Sequence, residues 1–155
     1  NKKISRLTSH YGIDTEPAWS PDGKKLLFTS NRSGSPQIFE IKISNKRIKR
    51  VTLDGSYNAR ARFFHDGKNI VFVHGNNGIF HIATRNLKDR FVNIVTQTTL
   101  DESPTISPNG HIIIYSTKKE NQGYLAGITI DRKSKFQLPV KKGSVREPSW
   151  SPFLN

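Results

Sequence analysis

The chain has 155 residues, 34% of them hydrophobic, no cysteine and a formal charge of +13. Such a length fits one domain, the missing cysteines exclude disulfides, thiol catalysis and cysteine-ligated zinc, and no apolar run approaches the roughly 20 residues of a membrane-spanning helix. The charge invites a nucleic-acid reading, but many lysines are dispersed as pairs at turns (Lys2-Lys3, Lys24-Lys25, Lys118-Lys119, Lys141-Lys142), without a basic helix or RNA-binding motif, so they read as solvated tips and edge protection and no nucleic-acid partner is expected.

In chain order, Ile4-Ser5-Arg6-Leu7-Thr8 predicts a strand. Ala18 to Ser20 predicts the next, closed by an Asp22-Gly23 turn, and Leu26 to Ser30, Gln37 to Ile43 and Ile48 to Leu53 alternate as three more. The pattern then starts again. Pro17-Ala18-Trp19-Ser20-Pro21-Asp22-Gly23 returns as Ala61-Arg62-Phe63-Phe64-His65-Asp66-Gly67, as Pro104-Thr105-Ile106-Ser107-Pro108-Asn109-Gly110, and as Pro148-Ser149-Trp150-Ser151-Pro152-Phe153-Leu154, at steps of 44, 43 and 44. A second anchor keeps the beat: Arg6-Leu7-Thr8, Arg50-Val51-Thr52, Ile94-Val95-Thr96 and Gln137-Leu138-Pro139.

Four short strands in a repeat of this length, with no helical periodicity, predict an all-β fold of β-propeller blades, each of four antiparallel strands. Leu26, Ile70 and Ile113, with Phe28, Phe72 and Tyr115 two residues on, fall on one face of each sheet and are expected to pack against a neighbouring blade. The expected divisions are 1–14 for the end of a preceding blade, 15–58, 59–102 and 103–146 for three complete blades, and 147–155 for the first strand of a closing one. Propellers close with four to eight blades. Three therefore leave two open apolar flanks, to be covered by the rest of a longer six-bladed propeller or by a second copy of the chain, as a homodimer.

Loops that lead into first strands converge on the mouth of a propeller's channel. The segments there are Asp14-Thr15-Glu16, Tyr57-Asn58-Ala59-Arg60, Leu100-Asp101-Glu102-Ser103 and Ser144-Val145-Arg146-Glu147. Glu16, Glu102 and Glu147 are read as carboxylates at one shared position, with Arg60 the basic exception. The candidate partner-binding residues are Thr15, Glu16, Asn58, Arg60, Asp101, Glu102, Arg146 and Glu147; the same side chains are equally suited to capping backbone groups or pairing between blades. No nucleophile elbow, zincin helix or phosphate loop occurs, and the five histidines lack metal-ligand spacing, so neither catalysis, cofactor nor metal is expected.

Thr15-Glu16-Pro17-Ala18-Trp19-Ser20-Pro21-Asp22-Gly23, Leu27-Phe28-Thr29-Ser30-Asn31-Arg32, Gly34-Ser35-Pro36-Gln37-Ile38-Phe39, Leu100-Asp101-Glu102-Ser103-Pro104 and Pro148-Ser149-Trp150-Ser151-Pro152-Phe153-Leu154 resemble, in order and in register, the propeller of the TolB family. The resemblance implies a periplasmic, non-catalytic protein of the Gram-negative Tol-Pal system. It implies binding of the peptidoglycan-associated lipoprotein Pal, support of outer-membrane integrity and cell division, and use of the same face by colicin translocation segments. Thr15 matches a position tied to Pal binding. The family's contact with TolA runs through an N-terminal domain absent from these 155 residues. Two other readings stay open: the propeller of a prolyl-oligopeptidase-like serine peptidase, and a basic propeller that binds anionic polymers.

Overall fold

The computed structural model describes residues 4–120, 122–140 and 142–151, and every helix-free prediction above meets an all-β chain there. Three four-stranded antiparallel meanders follow one another. The first contains β1 (Asp14–Trp19), β2 (Lys25–Ser30), β3 (Gln37–Lys42) and β4 (Ile48–Arg50). The second contains β5 (Tyr57–Phe63), β6 (Asn69–Asn76), β7 (Ile79–Asn86) and β8 (Asn93–Ile94), and the third β9 (Glu102–Ile106), β10 (Ile112–Lys119), β11 (Gln122–Thr129) and β12 (Lys135–Gln137). We call them sheets I, II and III.

The turns between first and second strands are set by the repeated Asp/Asn-Gly. Gly23, Gly67 and Gly110 have φ of 66°, 61° and 75°, which glycine adopts without a Cβ clash. In sheets I and III a serine completes the turn: Ser20 Oγ donates to Asp22 Oδ1 at 2.6 Å and accepts from Lys25 N at 2.9 Å, and Ser107 does the same with Asn109 and Ile112. Phe64 replaces that serine in sheet II, where Asp66 instead accepts directly from Lys68 N and Asn69 N.

Alternation along the second strands divides the core. Leu27, Ile38 and Val51 of sheet I pack against Ile70, Phe72 and Ala83 of sheet II. Val71, Val73, Ile82 and Val95 on the other side of sheet II meet Ile113, Tyr115 and Ile128 of sheet III. Each fully buried aliphatic or aromatic side chain here contributes about 1.5–3 kcal/mol relative to exposure. The paired positions Ile70/Phe72 and Ile113/Tyr115 thus face the preceding sheet, as the period-two spacing predicts. The first strands β1, β5 and β9 approach one another, so the sheets fan out from a shared inner edge.

Three expectations need correction. Ile4 to Thr8 forms no strand, because among the described residues no strand lies alongside to pair with it; Leu7 instead packs on the outer face of sheet I, over Leu26, Phe28, Phe39 and Ile41. That flank is consequently not open. Phe28 and Phe39 are buried, and the Arg32 guanidinium lies 5.0 and 5.1 Å from their ring centroids, a cation–π contact. On the far side of sheet III, Phe136 remains exposed, whereas the exposed Ile130 follows Ile128 on the face turned towards sheet II. Residues 147–151 carry no strand, and the expected Pro152-Phe153-Leu154, like Lys2-Lys3 and Lys141, lies outside the described residues.

The second anchor is a clasp. Thr52 Oγ1 accepts from Ile38 N at 3.0 Å and donates to Gln37 Oε1 at 2.8 Å, while Val51 N donates to Ile38 O. Thr96 Oγ1 likewise accepts from Ile82 N at 2.9 Å and donates to Asp101 Oδ2, with Val95 N donating to Ile82 O. Sheet III keeps the backbone bond, Leu138 N to Leu125 O, but has Pro139 where the hydroxyl would be.

Candidate functional site

Each first strand is broken by a bulge: strand pairing skips between Thr15 and Ala18, between Ala59 and Arg62, and, opposite Ile114 and Ser116, between Thr105 and Glu102. A bulge inserts one residue and re-aims its side chain. The inserted position is left-handed in every repeat: Glu16 (φ 56°), Arg60 (56°), Ser103 (51°) and Glu147 (54°). None is glycine, three precede proline, and a left-handed non-glycine residue costs on the order of 1–3 kcal/mol, so four in one register mark a feature the surroundings enforce.

This corrects the predicted ring. Glu16, Arg60, Ser103 and Glu147 are the equivalent residues, at steps of 44, 43 and 44, and Glu102 stands one place earlier, beside the positions of Thr15, Ala59 and Arg146. The third carboxylate of the shared position is therefore a serine hydroxyl.

The four meet at one guanidinium. Arg60 Nε lies 3.1 Å from Glu16 Oε1, and Arg60 Nη1 donates to Ser103 Oγ at 2.7 Å and to Glu147 Oε1 at 3.1 Å. The Arg60 amide donates to Glu16 Oε2 at 3.0 Å, and Thr29 Oγ1 donates to the same oxygen at 2.7 Å. Burial works against the Arg60 cation, but the hydrogen bond to Glu147 and the charges of Glu16, Glu147 and Glu102 raise its pKa above the ordinary arginine value. Sheets I, II and III and the segment after them are thus joined at the inner edge through one side chain. Thr15, Glu102, Arg146 and Glu147 are exposed around this hub.

Asn58 and Asp101 do not join them. Both are fully buried. Asn58 Nδ2 donates to Gln37 Oε1 at 2.9 Å and to Asp54 O at 2.8 Å, and Asn58 Oδ1 lies 2.8 Å from His74 Nδ1. Asp101 Oδ2 accepts from Thr96 Oγ1 and, at 2.8 Å, from Thr98 Oγ1. These two residues belong to the clasps and offer a partner nothing. Asp14, their equivalent in sheet I, accepts both bonds of the Arg32 Nη2 at 2.7 and 2.9 Å; burial would raise its pKa, but hydrogen bonds from Ser30, Arg32 and Thr8 hold it below the usual carboxylate value.

Ser103, Thr29 and Arg62 were not anticipated. Ser103 could have been found by aligning the residue before proline in each repeat, since Glu16-Pro17, Ser103-Pro104 and Glu147-Pro148 share that pair. Arg62 and Arg60, with Ser103, Thr105, Glu147 and Ser149, line a polar cleft of about 290 Å³ at the inner edge. Among the described residues no group of three or more His, Asp or Glu side chains is arranged to hold a metal ion.

The TolB β-propeller domain family matches residues 1–154. The chain belongs to the TolB β-propeller family. It is 38% identical over 150 residues to the Tol-Pal system protein TolB of Bordetella parapertussis, covering 97% of this chain and 34% of that protein. It is 42% identical over 103 residues to TolB of Pseudomonas aeruginosa, covering 65% of this chain and 24% of the relative. The crystal structure of TolB from Acinetobacter baumannii superposes with a TM-score of 0.89 at 43% identity, over 97% of this chain and 38% of that one. The chain thus spans about a quarter to a third of the length of the curated TolB proteins it matches. No helix among the described residues is long and apolar enough to cross a membrane.

Proposed function

We propose that this TolB-family propeller segment acts in the periplasm as a non-catalytic binding surface for the lipoprotein Pal, within a six-bladed ring, and so serves outer-membrane integrity and cell division. The supporting observation is the hub: four left-handed residues, one from each successive repeat, are held in place by Arg60 before any partner arrives. A mouth fixed in advance loses little conformational entropy on binding and can present Thr15, Glu16, Glu102, Arg146 and Glu147 together. A surface whose charged groups are paired with one another, as Glu16 and Glu147 are with Arg60, suits recognition. Colicin segments would reach the same mouth, whereas TolA would contact a domain outside these residues.

Calorimetric titration with purified Pal tests the reading. Thr15→Arg, on an exposed strand position beside the hub, is expected to weaken binding about ten-fold or more while leaving the thermal midpoint unchanged. Unaltered affinity in both Thr15→Arg and Glu102→Lys would remove the mouth as the Pal site.

A further inference from the structure

The cleft beside the hub is lined by two cations as well as by hydrogen-bonding hydroxyls. Two guanidiniums, Arg60 and Arg62, stand two residues apart on β5, and Ser103, Thr105 and Ser149 line the same cleft. Arg60 is satisfied by Glu16 on one side. Arg62 donates to its neighbour's carbonyl, Ala61 O at 3.0 Å, and makes no ion pair among the described residues. Into this cleft reaches Glu147, whose side chain is 72% exposed and whose Oε1 meets Arg60 Nη1 at 3.1 Å. Glu147 is held there by a single exposed contact, from a segment that forms no strand.

We infer that the cleft is a carboxylate-binding subsite, that Glu147 is its internal stand-in, and that an aspartate or glutamate of a protein partner displaces Glu147 to bridge Arg60 and Arg62. This rests on the mouth being the partner-binding surface and adds the chemistry of what it selects. The planar fork of arginine matches a carboxylate in two parallel hydrogen bonds, a geometry Glu147 uses only in part. Solvent and salt screen an exposed ion pair, so the resident carboxylate is weakly held and readily exchanged. The hydroxyls supply donors for the remaining lone pairs of the incoming group. Displacement removes the Glu147 arm of the hub and leaves the Glu16–Arg60 and Ser103–Arg60 contacts in place while the cleft changes occupant.

Two synthetic hexapeptides serve as probes against the 155-residue chain, one with two aspartates in a Gly-Ser background and one with asparagines in their place, titrated by fluorescence anisotropy in low salt. The aspartate peptide is expected to bind about ten-fold tighter than its asparagine twin. Glu147→Gln should tighten the aspartate peptide about five-fold by removing the competitor, and Arg62→Gln, which breaks no ion pair, should weaken it about ten-fold. Inorganic phosphate as a competitor should act only at far higher concentration than the peptide; equal potency would show a general anion site and overturn the carboxylate assignment. Equal affinity for the two peptides, or no response to Glu147→Gln, would also overturn it. Pal titrated against Glu147→Gln and Arg62→Gln separates the two proposals: Pal binding that survives both while the peptide arms fail leaves the mouth intact and removes the subsite alone.

Discussion

Sheets II and III grow from the same repeat yet fasten their outer strands differently. In sheet II the strand leaving β8 is held by Thr96, whose hydroxyl satisfies Ile82 N and reaches the buried Asp101, so the last strand, the following loop and the next first strand are one hydrogen-bonded unit. In sheet III Pro139 occupies the same place, β12 is exposed along its length, and only the backbone bond from Leu138 to Leu125 remains. The difference teaches that the anchor spacing marks two separable devices. The apolar residue (Leu7, Val51, Val95) packs on the next sheet, and the threonine after it locks the loop that enters the mouth.

Breaking the clasp of sheet II should have the largest effect. Thr96→Val strips Asp101 of one of its two donors and leaves Ile82 N short of an acceptor, both in the interior, and is expected to cost about 3 kcal/mol in urea denaturation. Thr52→Val removes the equivalent hydroxyl from a neutral network of Gln37 and Asn58, and about 2 kcal/mol is expected. A loss in Thr52→Val as great as in Thr96→Val would mean that the charge of Asp101 is not what distinguishes the two clasps.

The contact between sheets II and III can be probed by alkali. Burial, with the nearby Asp101 charge, pushes the Tyr115 phenol up to about 12. A raised acid is protonated more in the folded than in the unfolded chain between its two pKa values, so this stabilisation is complete below pH about 10 and declines as pH rises towards 12. A loss on the order of 2 kcal/mol is expected across that window in denaturation midpoints, and Tyr115→Phe should flatten it.

Acid probes the clasp between sheets I and II. His74, beside Asn58, has its pKa lowered by burial and by His81, so its share of stability is full above about pH 6.5 and is lost as pH falls below that. The decline should appear as a falling urea midpoint between neutral and acid pH, and His74→Asn should remove it. The smallest effect is a gain: Pro139→Thr should supply the missing hydroxyl, stabilise by about 0.5–1 kcal/mol and slow amide exchange at Leu125. Unchanged exchange would show that sheet III closes its outer strand by other means.

The repeat, the glycine turns and the paired core positions were legible because each rests on local, periodic chemistry. The clasps were visible only as spacing, since the partner of Thr52 lies 14 residues away and that of Thr96 equally far. Part of the mouth was misread for a similar reason. Matching carboxylate to carboxylate set Glu102 beside Glu16, whereas backbone handedness equates Glu16 with Ser103, a residue whose lack of charge hid it. Asn58 and Asp101 looked like rim residues by position, but loops that enter a first strand must satisfy their own buried groups, and these two turn inward to do so. The predicted strand at Ile4 to Thr8 failed because a strand needs a neighbour, while Leu7 kept its packing role without one.

One guanidinium spanning four successive repeats makes the blades non-interchangeable. A propeller of equivalent units tolerates duplication, deletion or permutation of a blade, yet here the second unit alone supplies the cation, with Glu16 and Glu147 converging on it from either side. Excising residues 59–102 would put Ser103 in the place of Arg60 and leave Glu16 and Glu147 on either side of it without their countercharge, so electrostatics constrains the order of repeats along this chain even where their folds are the same.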